Sequence, residues 1–290
     1  MHNADGQTYI DFDLSMSCAQ SGYLAPNLQV RLEFYQNGIM RVAIDQPDST
    51  RFRISGEDLP VEWDQLKGVD QEKFAEAFKL TEDGFSVTGL TRDDDENDNS
   101  VYDYHVTLSP FGIRQMTNGE LTSSTYGQVY FENMSVAKDS TNEDTCFDAL
   151  KSRAQTRSGS DIYDNEPGTV KQAVSMSFYL PGEEQTLYGI PEREDTLALK
   201  TTTGTDPYQM FATDHLHAPN EVGPLYGSVP YIMGLSDKAA TSFLWVNSAK
   251  TTVDIDRPEE VPADVGKKGA QVTFASEANV IEFFMFTSSA

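Results

Sequence analysis

Two Asn-Gly pairs, each set between strand-like runs, constrain the fold more than any other feature. Leu28, Val30, Leu32 and Phe34 alternate with Gln29, Arg31 and Glu33. Asn37-Gly38 follows, and then Met40, Val42 and Ile44 alternate again. Alternation with period two places one side-chain set on each face of a strand. Asn and Gly tolerate the positive φ of a type I′ turn, so this pattern predicts a hairpin. Asn118-Gly119 repeats it, between 113–116 and a Thr/Ser-rich run that reaches Tyr126. Tyr102, Tyr104, Val106 and Leu108 form another alternating face. Further short strands are expected at 52–54, 85–87, 129–131, 174–180, 208–211, 231–233, 243–246, 272–274 and 280–286. Only 70–80 reads as a helix, with Phe74, Ala77 and Phe78 on one stripe and Asp70 as its N-cap. Many short strands separated by turns indicate an all-β sandwich or barrel with little helix.

The 290 residues include 16 Phe and 13 Tyr and are 38% hydrophobic, enough for a substantial core. Asp and Glu number 46 against 21 Lys and Arg, a net charge of −25. That balance argues against a nucleic-acid partner, which needs clustered cations, and against an anionic membrane surface. It fits neutral ligands such as sugars, and equally solubility alone. No apolar run approaches the roughly 20 residues that cross a bilayer, and the first residues lack the basic and apolar regions of a signal peptide. Cys18 and Cys146 leave one disulfide or two thiols open. No CxxC or HExxH occurs, so no zinc or other cofactor is expected.

Two segments depart from the strand pattern. Residues 92–99 carry five acids in eight positions. Asp93, Asp95 and Asn97 have the first spacings of a calcium loop, but Asp98 stands where Gly is needed and Tyr104 where Glu is needed, so a solvated turn is expected. Residues 138–169 are polar and read as an excursion between two strand-rich halves. Asp214-His215-Leu216-His217 suggests a metal or acid–base site only weakly, and a polar loop is the simpler reading. Asn133-Met134-Ser135 is a glycosylation sequon. No GxSxG, P-loop or GxGxxG is present.

From residue 177 onward an ordered series of blocks stands out. Phe178-Tyr179-Leu180-Pro181-Gly182 leads to Leu187-Tyr188-Gly189-Ile190-Pro191-Glu192-Arg193. Leu225-Tyr226-Gly227-Ser228-Val229-Pro230 and Phe243-Leu244-Trp245-Val246-Asn247 follow. The series resembles the N-terminal β-sandwich domain of glycoside hydrolase family 31, a galactose mutarotase-like fold. Within the family it is most similar to the branch of the endoplasmic-reticulum glucosidase II α subunits. The resemblance is strong over 175–286 and weaker before it, where Ser109-Pro110-Phe111 is the best anchor. It implies one sandwich over 1–290, location in the endoplasmic-reticulum lumen, and a supporting role for a catalytic (β/α)8 barrel expected after residue 290. It further implies a regulatory β subunit as partner and an α-glucoside or N-glycan as substrate, with retaining hydrolysis of α-glucosidic bonds.

The family's nucleophile lies in a Trp-x-Asp-Met-Asn-Glu type segment, and neither Trp63 nor Trp245 begins one. No catalytic residue is therefore expected in this chain, and the chain alone is expected to be inactive. The resemblance instead gives Asp214 the role of a substrate-positioning carboxylate on a loop after the strand at 207–213. Leu216 stands where relatives carry an aromatic. Tyr188, Tyr226 and Trp245 are expected in the core rather than lining a cleft. Two other readings remain open. A stand-alone carbohydrate-binding sandwich would need exposed aromatics. A mutarotase-like epimerase would need a Glu facing a His such as His105.

Overall fold

The computed structural model describes residues 2–4, 7–17, 24–47, 49, 51–59, 66–91, 99–125, 129–131, 173–183, 185–202, 206–214, 223–236, 239–259, 261 and 268–289. Of these, 57% are in strands and 5% in helix. Two antiparallel sheets face each other, so the chain is an all-β sandwich. The first sheet has the order β1 (His2–Ala4), β2 (Gln7–Ser17), β3 (Leu24–Phe34), β4 (Met40–Asp45), β18 (Ile281–Ser289), β15 (Ala239–Trp245), β14 (Tyr231–Leu235) and β12 (Thr186–Gly189). The second runs β13 (Tyr208–Met210), β16 (Thr251–Asp256), β17 (Gly269–Ser276), β11 (Val174–Pro181), β9 (Glu120–Thr125), β8 (Phe111–Thr117), β7 (Val101–Leu108), β6 (Gly84–Thr91) and β5 (Phe78–Leu80). A short β10 (Tyr130–Phe131) also pairs with β11.

Alternation decides which side chains enter the space between the sheets. Phe178 of β11 stacks on Phe243 of β15 at 4.4 Å between ring centroids and meets Phe283 of β18 edge-on at 4.8 Å. Trp245 lies parallel to Phe274 at 5.6 Å, and its Nε1 donates to Ser276 Oγ at 2.9 Å. Aromatic pairs of this kind add to the burial of apolar area. At the other end, Phe34 of β3 packs on Tyr104 of β7 at 5.3 Å and on Phe74 of α1 (Gln71–Ala77), the one α-helix among the described residues, at 5.0 Å.

The helix begins as the sequence predicts. The Asp70 carboxylate accepts from the amides of Glu72 and Lys73, satisfying two donors that no turn of helix can reach. It ends at Ala77 rather than continuing to 80, because Phe78 adopts extended geometry and pairs with Val87 as the start of β5. The two hairpins also differ. Asn118 and Gly119 both have positive φ, as a type I′ turn requires. At the other turn only Gly38 does, and Tyr35 N donates to Ile39 O across a three-residue loop. Gly38 is required there, since a Cβ would stand 2.4 Å from the Tyr102 ring. The alternating face at 102–108 holds through Val106, but Leu108 is exposed.

The strand expected at 52–54 does not form. Arg51 Nη1 donates to Asn279 O at 2.9 Å and Arg53 Nε to Glu282 Oε2 at 2.6 Å, so the segment straps across the first sheet and leaves Phe52 60% exposed. Glu282 is completely buried. Its other oxygen accepts from Arg41 Nε at 2.8 Å, and Arg41 Nη1 reaches Glu33 Oε2 at 3.1 Å. The Tyr35 hydroxyl donates to the same Glu33 oxygen at 2.8 Å.

Replacing Glu282 by Gln should destabilise the fold by about 3 kcal/mol, the lower end of the range for a broken buried pair because Arg53 is partly solvated. The denaturant midpoint measures this, and an unchanged midpoint would show that the pair is dispensable. A pH effect follows from two buried phenols. Burial, then the charge and hydrogen bond of Glu33, push the Tyr35 pKa up, and burial pushes up that of Tyr104. The folded state therefore holds these protons above the unfolded value of about 10, so stability is intact below that pH and falls as pH rises past it. Tyr35→Phe should flatten this alkaline loss in pH-dependent unfolding curves.

Candidate functional site

Two of the family-like blocks, at 187–193 and 225–230, meet at one corner of the sandwich. Gly189 ends β12 with φ +120°, and a Cβ there would stand 2.3 Å from Tyr231 O, so only glycine fits. Ile190 follows, buried and with positive φ, and its amide donates to Tyr231 O at 2.7 Å. The Ile190 carbonyl accepts from Arg193 Nε at 2.8 Å and also from its Nη2. The guanidinium lies 4.6 Å above the centroid of Tyr208 on β13. Burial lowers the Arg193 pKa, opposed by the nearby Tyr208 and Asp195.

Glu192 ties this corner to the segment at 224–227. Its amide donates to Gly227 O at 2.8 Å, its carbonyl accepts from Leu225 N at 3.0 Å, and its Oε2 accepts from Gly227 N at 2.8 Å. Thr213 joins from the third side, with its amide on Leu225 O at 2.9 Å and its hydroxyl on Pro224 O at 2.7 Å. The next residue is Asp214. It is exposed, and Tyr226 donates its hydroxyl to Asp214 Oδ1 at 2.7 Å. That hydrogen bond is the main reason the Tyr226 pKa is raised. Phe211, Tyr226 and Val229 are 49%, 61% and 47% exposed on these same segments.

The resemblance puts Asp214 on a loop after the strand at 207–213; in the structure β13 ends at Met210 and Asp214 is exposed beyond it. Of the three large aromatics expected in the core, Trp245 is buried there, Tyr188 is half-buried, and Tyr226 is corrected to a surface position. Tyr226 turns outward because Glu192 anchors the residues on both sides of it, in a segment that belongs to no strand. Its partnership with Asp214 has one signal in the sequence, a Tyr held between Pro and Gly residues instead of in an alternating run. His105 is half-buried on β7 and lies opposite Ser86 and Arg114, not a Glu. His215, His217, Asn133, Cys18, Cys146, Tyr126, the acidic run at 92–98 and the excursion at 138–169 lie outside the described residues. Among the described residues no group of three or more His, Cys, Asp or Glu is placed to hold a metal.

Comparison with known proteins bears on the family and the fold. The chain is 35% identical over 128 residues to neutral alpha-glucosidase AB of Sus scrofa, a match covering 39% of this chain and 13% of that protein. A crystal structure of a glucosidase II alpha subunit bound to Glc1Man2 superposes on all of the chain and on 32% of its own length, with a TM-score of 0.65 and 19% identity. A crystal structure of an ER glucosidase II heterodimer, formed by the catalytic subunit and the binding domain of the regulatory subunit, matches 98% of the chain and 32% of its own at a TM-score of 0.64 and 19% identity. The chain thus spans about a third or less of the length of these proteins. The profile of the glycosyl hydrolase 31 N-terminal galactose mutarotase-like domain matches residues 29–254, and the chain belongs to that family.

Proposed function

We propose that this chain is the N-terminal domain of an α-glucosidase that trims glucose from N-linked glycans in the endoplasmic-reticulum lumen. In this reading the sandwich over 1–290 packs on a catalytic (β/α)8 barrel, in the same or a separate chain, and a regulatory β subunit joins the assembly. The observation that carries it is the exposed Asp214 carboxylate, which the Tyr226 hydroxyl holds, on segments that also expose Phe211 and Val229. Exposed apolar groups suit contact with a second domain, and the carboxylate suits a sugar. The glucosidase II complex and the Glc1Man2-bound subunit support the partner and substrate class.

An ionised carboxylate accepts hydrogen bonds from two adjacent hydroxyls. As the glycosidic bond breaks, positive charge develops at the anomeric carbon, and a nearby fixed negative charge binds that state more tightly than the ground state. The nucleophile and the acid of the retaining reaction would belong to the barrel.

In the complete enzyme, Asp214→Ala should lower kcat/KM by roughly 10- to 150-fold, equivalent to about 1.5–3 kcal/mol of charge-assisted hydrogen bonding. Asp214→Asn should lose less, and neither change should shift the melting temperature, because an exposed loop carboxylate adds little stability. Wild-type kinetics in Asp214→Ala would remove Asp214 from the site. Residues 1–290 expressed alone should release no glucose from an aryl α-glucoside, while the assembled enzyme should; turnover by the purified chain would overturn the division of labour.

A further inference from the structure

We infer that Tyr226 is a positioning residue: its phenol holds one oxygen of Asp214 so that the other is presented to a sugar hydroxyl in a fixed direction. This rests on the reading that Asp214 meets substrate, and it adds the group through which the fold aims that carboxylate.

The backbone on both sides of Tyr226 is held by hydrogen bonds. Leu225 before it donates to the Glu192 carbonyl, and Gly227 after it both donates to the Glu192 carboxylate and accepts from the Glu192 amide. Gly227 cannot take a larger residue without displacing that carboxylate, since a Cβ would meet Glu192 Cδ at 2.9 Å. Asp214 is fixed from the other side by Thr213, whose amide and hydroxyl engage Leu225 and Pro224. The two backbones are therefore held in register, and the 2.7 Å contact between phenol and carboxylate spans them. Only two torsions of the Tyr side chain stand between a fixed backbone and the hydroxyl, which makes it a stiff donor.

Stability does not account for this arrangement. Both side chains are exposed, and a hydrogen bond between exposed groups contributes little to folding. Binding gains from it instead. A free Asp on a loop samples several rotamers and must be ordered when a sugar arrives, whereas a carboxylate already held by one oxygen has lost that freedom beforehand. The hydrogen bond occupies one acceptor position on Oδ1 and leaves Oδ2 for the ligand. Arg193 supports the platform from below. It links the Ile190 carbonyl to the Tyr208 ring, tying the corner that carries Glu192 to β13, the strand that leads into Asp214.

The test is a double-mutant cycle in the complete enzyme, with an aryl α-glucoside as substrate. Tyr226→Phe keeps the ring and removes only the hydroxyl. It should lower kcat/KM by about 3- to 10-fold with an unchanged melting temperature, as expected for restoring the freedom of one side chain. In the Asp214→Ala background the same change should have no further effect, because its only route to substrate is gone. An equal loss in both backgrounds, or no loss in the wild-type background, would overturn the role of Tyr226 while leaving Asp214 in place. If Asp214→Ala alone is kinetically silent, the substrate role of Asp214 fails, and the inference about Tyr226 falls with it.

Discussion

The ladder between β4 and β18 is the contact on which the rest of the fold depends. The first sheet takes four strands from the start of the chain and four from its second half, and these two strands are where they meet. Val42 lies opposite Phe283, and both point into the core; Arg41 and Glu282 lie on the other face of the sheet, where they bond each other and Glu282 stays buried. A slip of one residue would carry Glu282 into the apolar space beside Phe178 and turn Phe283 out. A buried ion pair adds little net stability over well-packed apolar groups. Its stronger effect here is on register, because Glu33, Arg41, Arg53 and Glu282 satisfy one another in only one alignment.

That alignment is passed on strand by strand to the candidate site. β18 sets β15, β15 sets β14, and Tyr231 at the start of β14 offers its carbonyl to Ile190. The tight corner at Gly189 and Ile190 then fixes Glu192, and Glu192 fixes the segment that carries Tyr226. An exposed carboxylate is thereby held rigidly from within the sheet, although no strand contains it. Rigid support beneath an exposed functional group is the usual arrangement where a loop has to meet a ligand in one geometry.

Much of this was legible from local pattern. The alternation at 28–34 and 40–44 gave the strands and their inward faces, and the Asp70 cap gave the helix start. What failed were features decided by distant partners. Phe52 and Ile54 look like a strand face, but Arg51 and Arg53 have buried partners in the last two strands' neighbourhood, and those anchors set the path of the segment. Among 46 acids nothing marks Glu282 as buried, since Arg41 lies 241 residues away. Asp214 could be located only because the blocks around it resemble a family. Its partner Tyr226 was assigned to the core, because composition favours burial for aromatics and cannot register that both neighbours are pinned to Glu192.

The seam between β4 and β18 has a consequence during synthesis. The hairpin of β3 and β4 leaves the ribosome early, but the strand that covers its edge is translated some 240 residues later. At typical elongation rates of 5–20 residues per second, that edge waits roughly 12–50 s for its partner. An uncovered strand edge is a template for pairing with other chains. The Arg and Glu side chains that later lock the register also keep the waiting strands charged on one face, which disfavours such pairing while β18 is still being made.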